Sequence, residues 1–268
     1  MKFTPLIGPV GEMRAISSAG GGTALTSAST FLQLLPGAEA VQVVGRNFAT
    51  AVAVQVSFSP WLTVLKTSDS FAAEANTTDY SEAAQDANTS TTVVLSSLAS
   101  TGALWVGSHL PFRGLNAVVG SANSSTATLS GTYWNGTTMA NISLTDGTAT
   151  SSTTFSVSGN VTWTMPTDWV GAQLSTLGPV DSGVVVPFKN AQWYWVKLVV
   201  SAALDSSVTL TSLLAMGRST AYHEIVADSP ELAMQIQRGV GGQSALELKC
   251  DAGTANAVVN CLTAGKFV

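Results

Sequence analysis

The sequence predicts an all-β protein: an antiparallel, jelly-roll-like β-sandwich as the main domain, with a smaller N-terminal β unit and extended arms. Two observations carry this. Val52, Val54, Val56 and Phe58 alternate with Ala51, Ala53, Gln55 and Ser57, a period of two that marks a strand with one packed face and one small-residue face. The stretch from Leu104 to Trp169 then breaks into short β-rich runs, among them ATLSGTYW, NISLTDG and NVTWT, separated by Asn-Gly, Asp-Gly and Ser-Gly-Asn. No heptad or long internal repeat competes with this pattern.

Taken in order, residues 1–29 hold Pro5, Pro9 and the Gly20-Gly21-Gly22 run among small side chains. So few large apolar groups cannot offset backbone entropy, so this segment is expected to be an arm ordered by neighbours. Residues 30–68 follow as the small β unit, with FLQLL, AVQVVGRNF, TAVAVQVSF and WLTVLK as its strands and Pro60 as a break. Between Asp69 and Asp86 there are five acidic residues and no basic one, so residues 69–89 read as a solvated linker. Their spacing lacks the alternation and central glycine of a calcium-binding EF-hand loop.

Residues 90–220 form the expected main sandwich. Asn135-Gly136 and Asp146-Gly147 favour turns with positive φ, so each is expected to reverse the chain between antiparallel neighbours. Residues 193–200, WYWVKLVV, are apolar on both faces except at Lys197 and read as the central strand, with SSVTLTSLLAMG as its partner through a turn at Ala203 to Ser207. Residues 221–268 make a C-terminal tail. In it Ser229-Pro230-Glu231 is placed to cap a helix running to Arg238, with a strand through LAMQIQ as the competing reading, and SALELKC and NAVVNCL are expected to close a final hairpin.

Composition excludes several classes of function. Charged residues are only 10% of the 268, with 11 basic against 16 acidic and a net charge of −5. Nucleic acid is not an expected partner, because binding a phosphate backbone needs clustered Lys and Arg and here they are scattered singly. No apolar run approaches the ~20 residues that span a bilayer, so no membrane partner is expected. Pro5, Gly8, Pro9, Glu12 and Arg14 interrupt any export signal. A surface so poor in charge is better explained by burial against other protein chains. Cys250 and Cys261 would face each other across the final hairpin; reduced thiols are the expected state, since one pair is no disulfide framework. The six Asn-x-Ser/Thr triplets, beginning at Asn76, Asn88, Asn123, Asn135, Asn141 and Asn160, are what a Ser- and Thr-rich chain produces by chance.

Catalytic constellations are not apparent, and no enzyme activity, cofactor or metal site is expected. The imidazole bases are His109, in a Gly-Ser-His-Leu-Pro turn, and His223, whose neighbour Glu224 falls on the opposite face of a strand. There is no Gly-x-Ser-x-Gly elbow, and Gly20 to Gly22 lacks the lysine and helix of a phosphate loop. A glycosidase pair would have to be Asp146 and Asp168, yet the first precedes a turn glycine and the second is expected to bond nearby backbone amides. The aromatic residues leave one alternative. Trp134, Trp163, Trp169, Trp193 and Trp195 are a candidate stacking platform for sugar rings, against the ordinary reading of tryptophans packed in a sandwich core. Trp134, beside the Asn135-Gly136 turn, is the one expected to be exposed.

The ordered motifs VLKTSD, LWVGSHLPFRGL, TYWNGTTM, LTDGTA, VTWTMPTDW, YWVKLVVSAALDSSVTL and GRSTAY, spanning roughly Trp61 to Tyr222, resemble those of structural proteins of tailed-bacteriophage virions. The resemblance implies a non-enzymatic particle component, of the head-decoration or fibre sort, built of β-domains and normally oligomeric. The expected function is therefore a capsid decoration or stabilising protein, assembled in the host cytoplasm into the virion. Its expected partners are the major capsid protein or other virion proteins and further copies of itself, with a trimer as the preferred assembly. The alternative is a tail or head fibre module binding a host receptor or glycan. Binding spread over area has few anchors; Phe112, Arg113, Trp134 and Trp169 are the candidate binding residues.

Overall fold

The computed structural model describes residues 12–15, 23–24, 30–33, 38–46, 52–67, 77–86, 90–96, 98–177, 192–217, 223–227, 231–237, 243–250 and 258–265. Among the described residues every element is a strand apart from one short 3-10 turn at Leu174–Thr176, and the strand pairs with a given register are antiparallel. The chain divides into two compact units. One is built from Met1–Phe58 together with Ala221–Val268, and the other is Ser59–Thr220.

The first unit takes its strands from both ends of the chain. They are β1 (Glu12–Ala15), β2 (Thr23–Ala24), β3 (Thr30–Gln33), β4 (Ala38–Arg46) and β5 (Val52–Pro60). After the second unit's strands β6 to β16 come β17 (His223–Ala227), β18 (Glu231–Gln237), β19 (Gln243–Cys250) and β20 (Val258–Gly265). One sheet runs β1-β20-β4-β18, with β2 also on β20, and the other runs β17-β5-β19-β3. The second unit is thus inserted into the sequence of the first, and the strands flanking the insertion, β5 and β17, are neighbours with Val56 opposite His223.

This arrangement corrects the sequence reading at both ends. The described pieces of the 1–29 arm, β1 and β2, lie on β20 of the same chain, where a ladder of backbone hydrogen bonds recruits segments whose side chains could not form a core; the rest of the arm lies outside the described residues. In the 221–268 tail, β19 and β20 do not form a hairpin but lie in different sheets, β19 against β3 and β20 against β4. Cys250 and Cys261 are therefore not cross-strand partners. Glu231–Gln237 is a strand, the competing reading, rather than a helix, and the ladder to β4 overrides the capping signal; Ser229 and Pro230 lie outside the described residues. The alternation read in Val52 to Phe58 belongs to β5, as expected.

The second unit is a β-sandwich. Its strands are β6 (Thr63–Thr67), β7 (Thr77–Asp79), β8 (Val93–Val94), β9 (Ala103–Ser108), β10 (Gly114–Ser121), β11 (Leu129–Trp134), β12 (Met139–Ile142), β13 (Leu144–Asp146), β14 (Gly159–Trp163), β15 (Tyr194–Val200) and β16 (Thr209–Met216). A six-stranded sheet, β12-β11-β15-β9-β6-β7, packs on a five-stranded one, β13-β14-β10-β16-β8. Between them lies one apolar cluster, to which Val64, Leu104, Val106, Val196 and Leu198 come from the first sheet and Leu115, Ala117, Val161, Leu213 and Ala215 from the second.

Here too the boundaries move. Residues 30–58 of the expected 30–68 unit belong to the first unit, while its last residues and the expected 69–89 linker fall in the second. β6 pairs with β9 and β7 in the six-stranded sheet, Ala84 is fully buried, and Gln85 exchanges two hydrogen bonds of 2.7 Å with the backbone of Leu62. The acidic composition misled because Asp79 and Glu82 occupy the exposed side of a segment whose other side is core; Asp69 and Glu74 lie outside the described residues. β15 is central, as expected, but β16 is not its hairpin partner. The connection after Val200 carries the chain to the other sheet, where β16 pairs with β10 and β8. A strand apolar on both faces needs cover on both, and β15 gets it. Its Val196, Leu198 and Val200 face the sandwich interior, while Trp195 joins Leu65, Trp105, Leu174 and Trp193 in a second cluster on the outer face.

Candidate interaction site

Of the four candidate binding residues Phe112, Arg113 and Trp169 lie in connections and Trp134 ends β11, and the structure gives them different roles. After β9 ends at Ser108, the bend through His109 and Leu110 delivers Phe112 into the interior, where it is fully buried. Its ring meets Trp163 at 5.5 Å and Trp169 at 5.3 Å, and Trp169 in turn meets Tyr194 edge-on at 5.7 Å and Tyr133 at 6.2 Å. The indole N–H of Trp163 donates to the carbonyl of Phe112 at 3.0 Å, which locks the bend to β14. Such edge-to-face contacts add about 0.5–1.5 kcal/mol per pair beyond the area they bury. Phe112 and Trp169 are thus core aromatics that close the sandwich, and as surface anchors they are withdrawn.

Arg113 is half-buried. Its backbone N–H donates to the Met216 carbonyl and its own carbonyl accepts from the Trp163 N–H, so it extends β10 by one residue between β14 and β16. Trp134, like Arg113, keeps a half-exposed side chain, and it stands beside the turn that was expected to display it. That turn is built by Asn135, whose Oδ1 accepts from the backbone N–H groups of Thr137 and Thr138 and from the Thr137 hydroxyl at 2.8–3.0 Å, while Gly136 sits at φ +97°, where side chains are strained. The Trp134 carbonyl accepts from the N–H of Val170, whose side chain is 44% exposed, and Leu110 on the β9–β10 bend is 38% exposed. Exposed Val170 is therefore a direct backbone neighbour of Trp134.

Asp168, two residues before Val170, is exposed. Instead of bonding nearby amides, its carboxylate accepts the Tyr133 hydroxyl at 2.8 Å, and that bond, followed by burial, pushes the phenol up. The partners stand 35 residues apart, a separation that carries no sequence signal. Asp146 lies in a turn as read, although Gly147 does not take the positive φ expected of it: the Asp146 carboxylate accepts the N–H and hydroxyl of Thr148 at 2.9 and 2.6 Å after β13. Each of the two acids is thus held in its own local hydrogen bonds, and nothing shown joins them as a catalytic pair. His109 is half-buried and burial pushes its imidazole down, toward the neutral form. His223 stands opposite Val56 and Glu224 opposite Gln55, on alternate faces of β17.

A second polar group escaped the sequence reading. In the turn before β16, the Asp205 carboxylate accepts the N–H and hydroxyl of Ser124, both at 2.6 Å, and the hydroxyl of Ser125. Those donors hold its carboxyl down at about 2. Buried Asn123 completes the clamp, accepting from the Asp205 and Ser125 N–H groups and donating to the carbonyls of Ser125 and Thr154. The carboxylate is spent on the chain's own donors, so this is a brace between the β10–β11 and β15–β16 connections. Among the described residues no group of three or more His, Cys, Asp or Glu is placed to hold a metal ion. No family model, curated protein or solved structure matches this chain.

Proposed function

We propose that the protein is a non-enzymatic structural component of a bacteriophage virion, a capsid decoration or stabilising protein that works through contacts with copies of itself and with neighbouring virion proteins. The observation that carries this reading is a surface short of ionised groups on a sandwich whose interior is already filled. With 11 basic and 16 acidic residues in 268, the chain still leaves Leu110, Val118, Val157 and Val170 between 38% and 45% exposed. Apolar surface not needed by the core is stabilised by a neighbour, and low charge reduces the desolvation cost of that contact. The motifs between Trp61 and Tyr222 that resemble virion structural proteins point the same way. Reconstruction by cryo-electron microscopy of the particle that carries this chain tests it: density for the chain on the shell is the expected result, and its absence from purified particles overturns the reading.

Half-exposed Trp134 favours a second reading, a fibre module that binds a glycan. An indole beside a turn, hydrogen-bonded through its backbone carbonyl to Val170, with the exposed Asp168 carboxylate two residues before Val170, offers the stacking face and the hydroxyl acceptor that a sugar needs. Binding on a glycan array that disappears with Trp134→Ala supports this reading; an array without binding removes it.

A further inference from the structure

The two edges of the β1-β20-β4-β18 sheet are finished differently. At one, β20 is flanked by two short pieces, β1 opposite residues 262–265 and β2 opposite residues 258–259, which break the edge into segments. Short, interrupted edge strands are a usual defence against pairing with another chain. At the other edge β18 runs for seven residues, Glu231–Gln237, in unbroken register with β4 and, among the described residues, has a strand on that side only. Within the strand there is little of the usual protection: ELAMQIQ has no lysine, proline or glycine, a single charge at Glu231, and a register without a bulge.

The strand is also self-complementary. Register with Val41, Val43 and Gly45 puts Ile236, Met234 and Leu232 on one face, and Glu231, Ala233, Gln235 and Gln237 on the other. Laid antiparallel on itself about a two-fold axis at Met234, it sets Leu232 opposite Ile236, Ala233 opposite Gln235 and Glu231 opposite Gln237 of the second copy. Apolar positions meet apolar ones, and the strand's one charge meets an amide rather than its like.

Resting on the subunit-contact reading above, we propose that β18 is a dimerisation edge, on which a second copy of this chain adds its own β18 antiparallel and so continues the sheet from one subunit into the other. Such pairing is isologous and closes at two copies. The assembly in solution is then a dimer of the 27.5 kDa chain rather than the trimer expected from the sequence.

Cysteine cross-linking reads the register directly. Residues opposite each other in an antiparallel pair have Cα atoms roughly 4.5–5.5 Å apart, within disulfide reach, whereas residues displaced by two positions along the strands are not. Full-length Met234→Cys, oxidised in solution, is expected to give a dimer in which peptide mapping finds residue 234 joined to residue 234. Ala233→Cys is expected to give no 233–233 link, and wild type, with Cys250 and Cys261, sets the background. A Met234→Cys protein with wild-type circular dichroism and no 234–234 link overturns the proposal, as does a trimeric mass for wild type. Should Met234→Cys not fold, charge on the polar face decides. Gln237→Glu, facing Glu231 of the other copy at two places per dimer, is expected to weaken association several-fold and Gln237→Lys to strengthen it; equal dissociation constants for both overturn it. If the link is absent while the chain is found in particles, the pairing fails and the virion reading stands. If the link forms in a chain that particles lack, the reverse holds.

Discussion

The indole of Trp195 lies across Gly107, its direct partner on β9, so closely that a Cβ at residue 107 would stand 2.4 Å from the ring. The ring's N–H donates to the carbonyl of Ala172 at 3.0 Å, so one side chain covers the outer face of the six-stranded sheet and ties down the segment after the sandwich's aromatic end. Gly107→Ala forces the ring or the backbone aside and is expected to destabilise the second unit by about 1–3 kcal/mol. Urea unfolding followed by tryptophan fluorescence measures this. The cost should shrink in a Trp195→Leu background; an unchanged cost would mean the clash is not with the indole.

At the opposite extreme of chemistry, the Asp205 clamp makes stability depend on acidity. Its carboxyl is held at about 2 in the folded chain against an ordinary 3.8, so the ionised form is the one the fold favours. The resulting stabilisation is complete above the unfolded value and is lost as pH falls through the folded one. Wild type should therefore lose thermal stability on acidification from about 4 to about 2 more steeply than Asp205→Asn. Parallel melting curves for the two proteins across that window would show that the clamp contributes nothing.

For Tyr133 the sign is reversed. The hydrogen bond to Asp168 raises the phenol's pKa, so the neutral form is favoured in the fold, and the stabilisation is present below the ordinary value of 10.0 and lost as pH rises through the raised one. Tyr133→Phe removes that loss. Its melting temperature is expected to fall less than wild type's on going above pH 10, and an identical alkaline decline would contradict the assignment.

These contacts mark where sequence reading stops. Strand identity was legible because alternation in Val52 to Phe58 and the Asn135-Gly136 turn are local signals, recorded within a few residues. Pairing was not. β15 and β16, like β19 and β20, are consecutive strands with short connections, for which a hairpin is the default, yet in both cases the second strand goes to another sheet. What decides is burial: β15 is apolar on both faces, and a strand of that kind is best placed inside a wide sheet, between β11 and β9. Nor could charge composition reveal that the 77–86 segment belongs to the sandwich, since its anchors are one alanine and one glutamine. At the aromatic end, the residue types were visible but their burial was not, because Phe112 and Trp134 each border a turn and only packing separates them.

That separation is measurable. Phe112→Ala empties a fully buried site against Trp163 and Trp169 and is expected to cost about 3–5 kcal/mol. Trp134→Ala removes a half-exposed ring and should cost about 1 kcal/mol, leaving a folded protein in which loss of binding can be read without ambiguity. Comparable losses for the two variants would place Trp134 in the core and remove it as a contact residue.

The inserted unit should also stand alone. Its apolar cluster is drawn wholly from residues between Leu62 and Ala215, and all seven tryptophans of the chain fall within Ser59–Thr220. A unit of this size with its own core is expected to fold by itself. A fragment of residues 59–220 should unfold cooperatively in urea, with a fluorescence midpoint matching that of the full chain, because in the full chain fluorescence reports on this unit alone. Circular dichroism of the full chain, which also sees β1 to β5 and β17 to β20, is expected to show a transition that does not coincide with the fluorescence one. A fragment that stays unfolded, or full-chain transitions that superimpose, would show that the terminal strands and the inserted sandwich fold as one cooperative body.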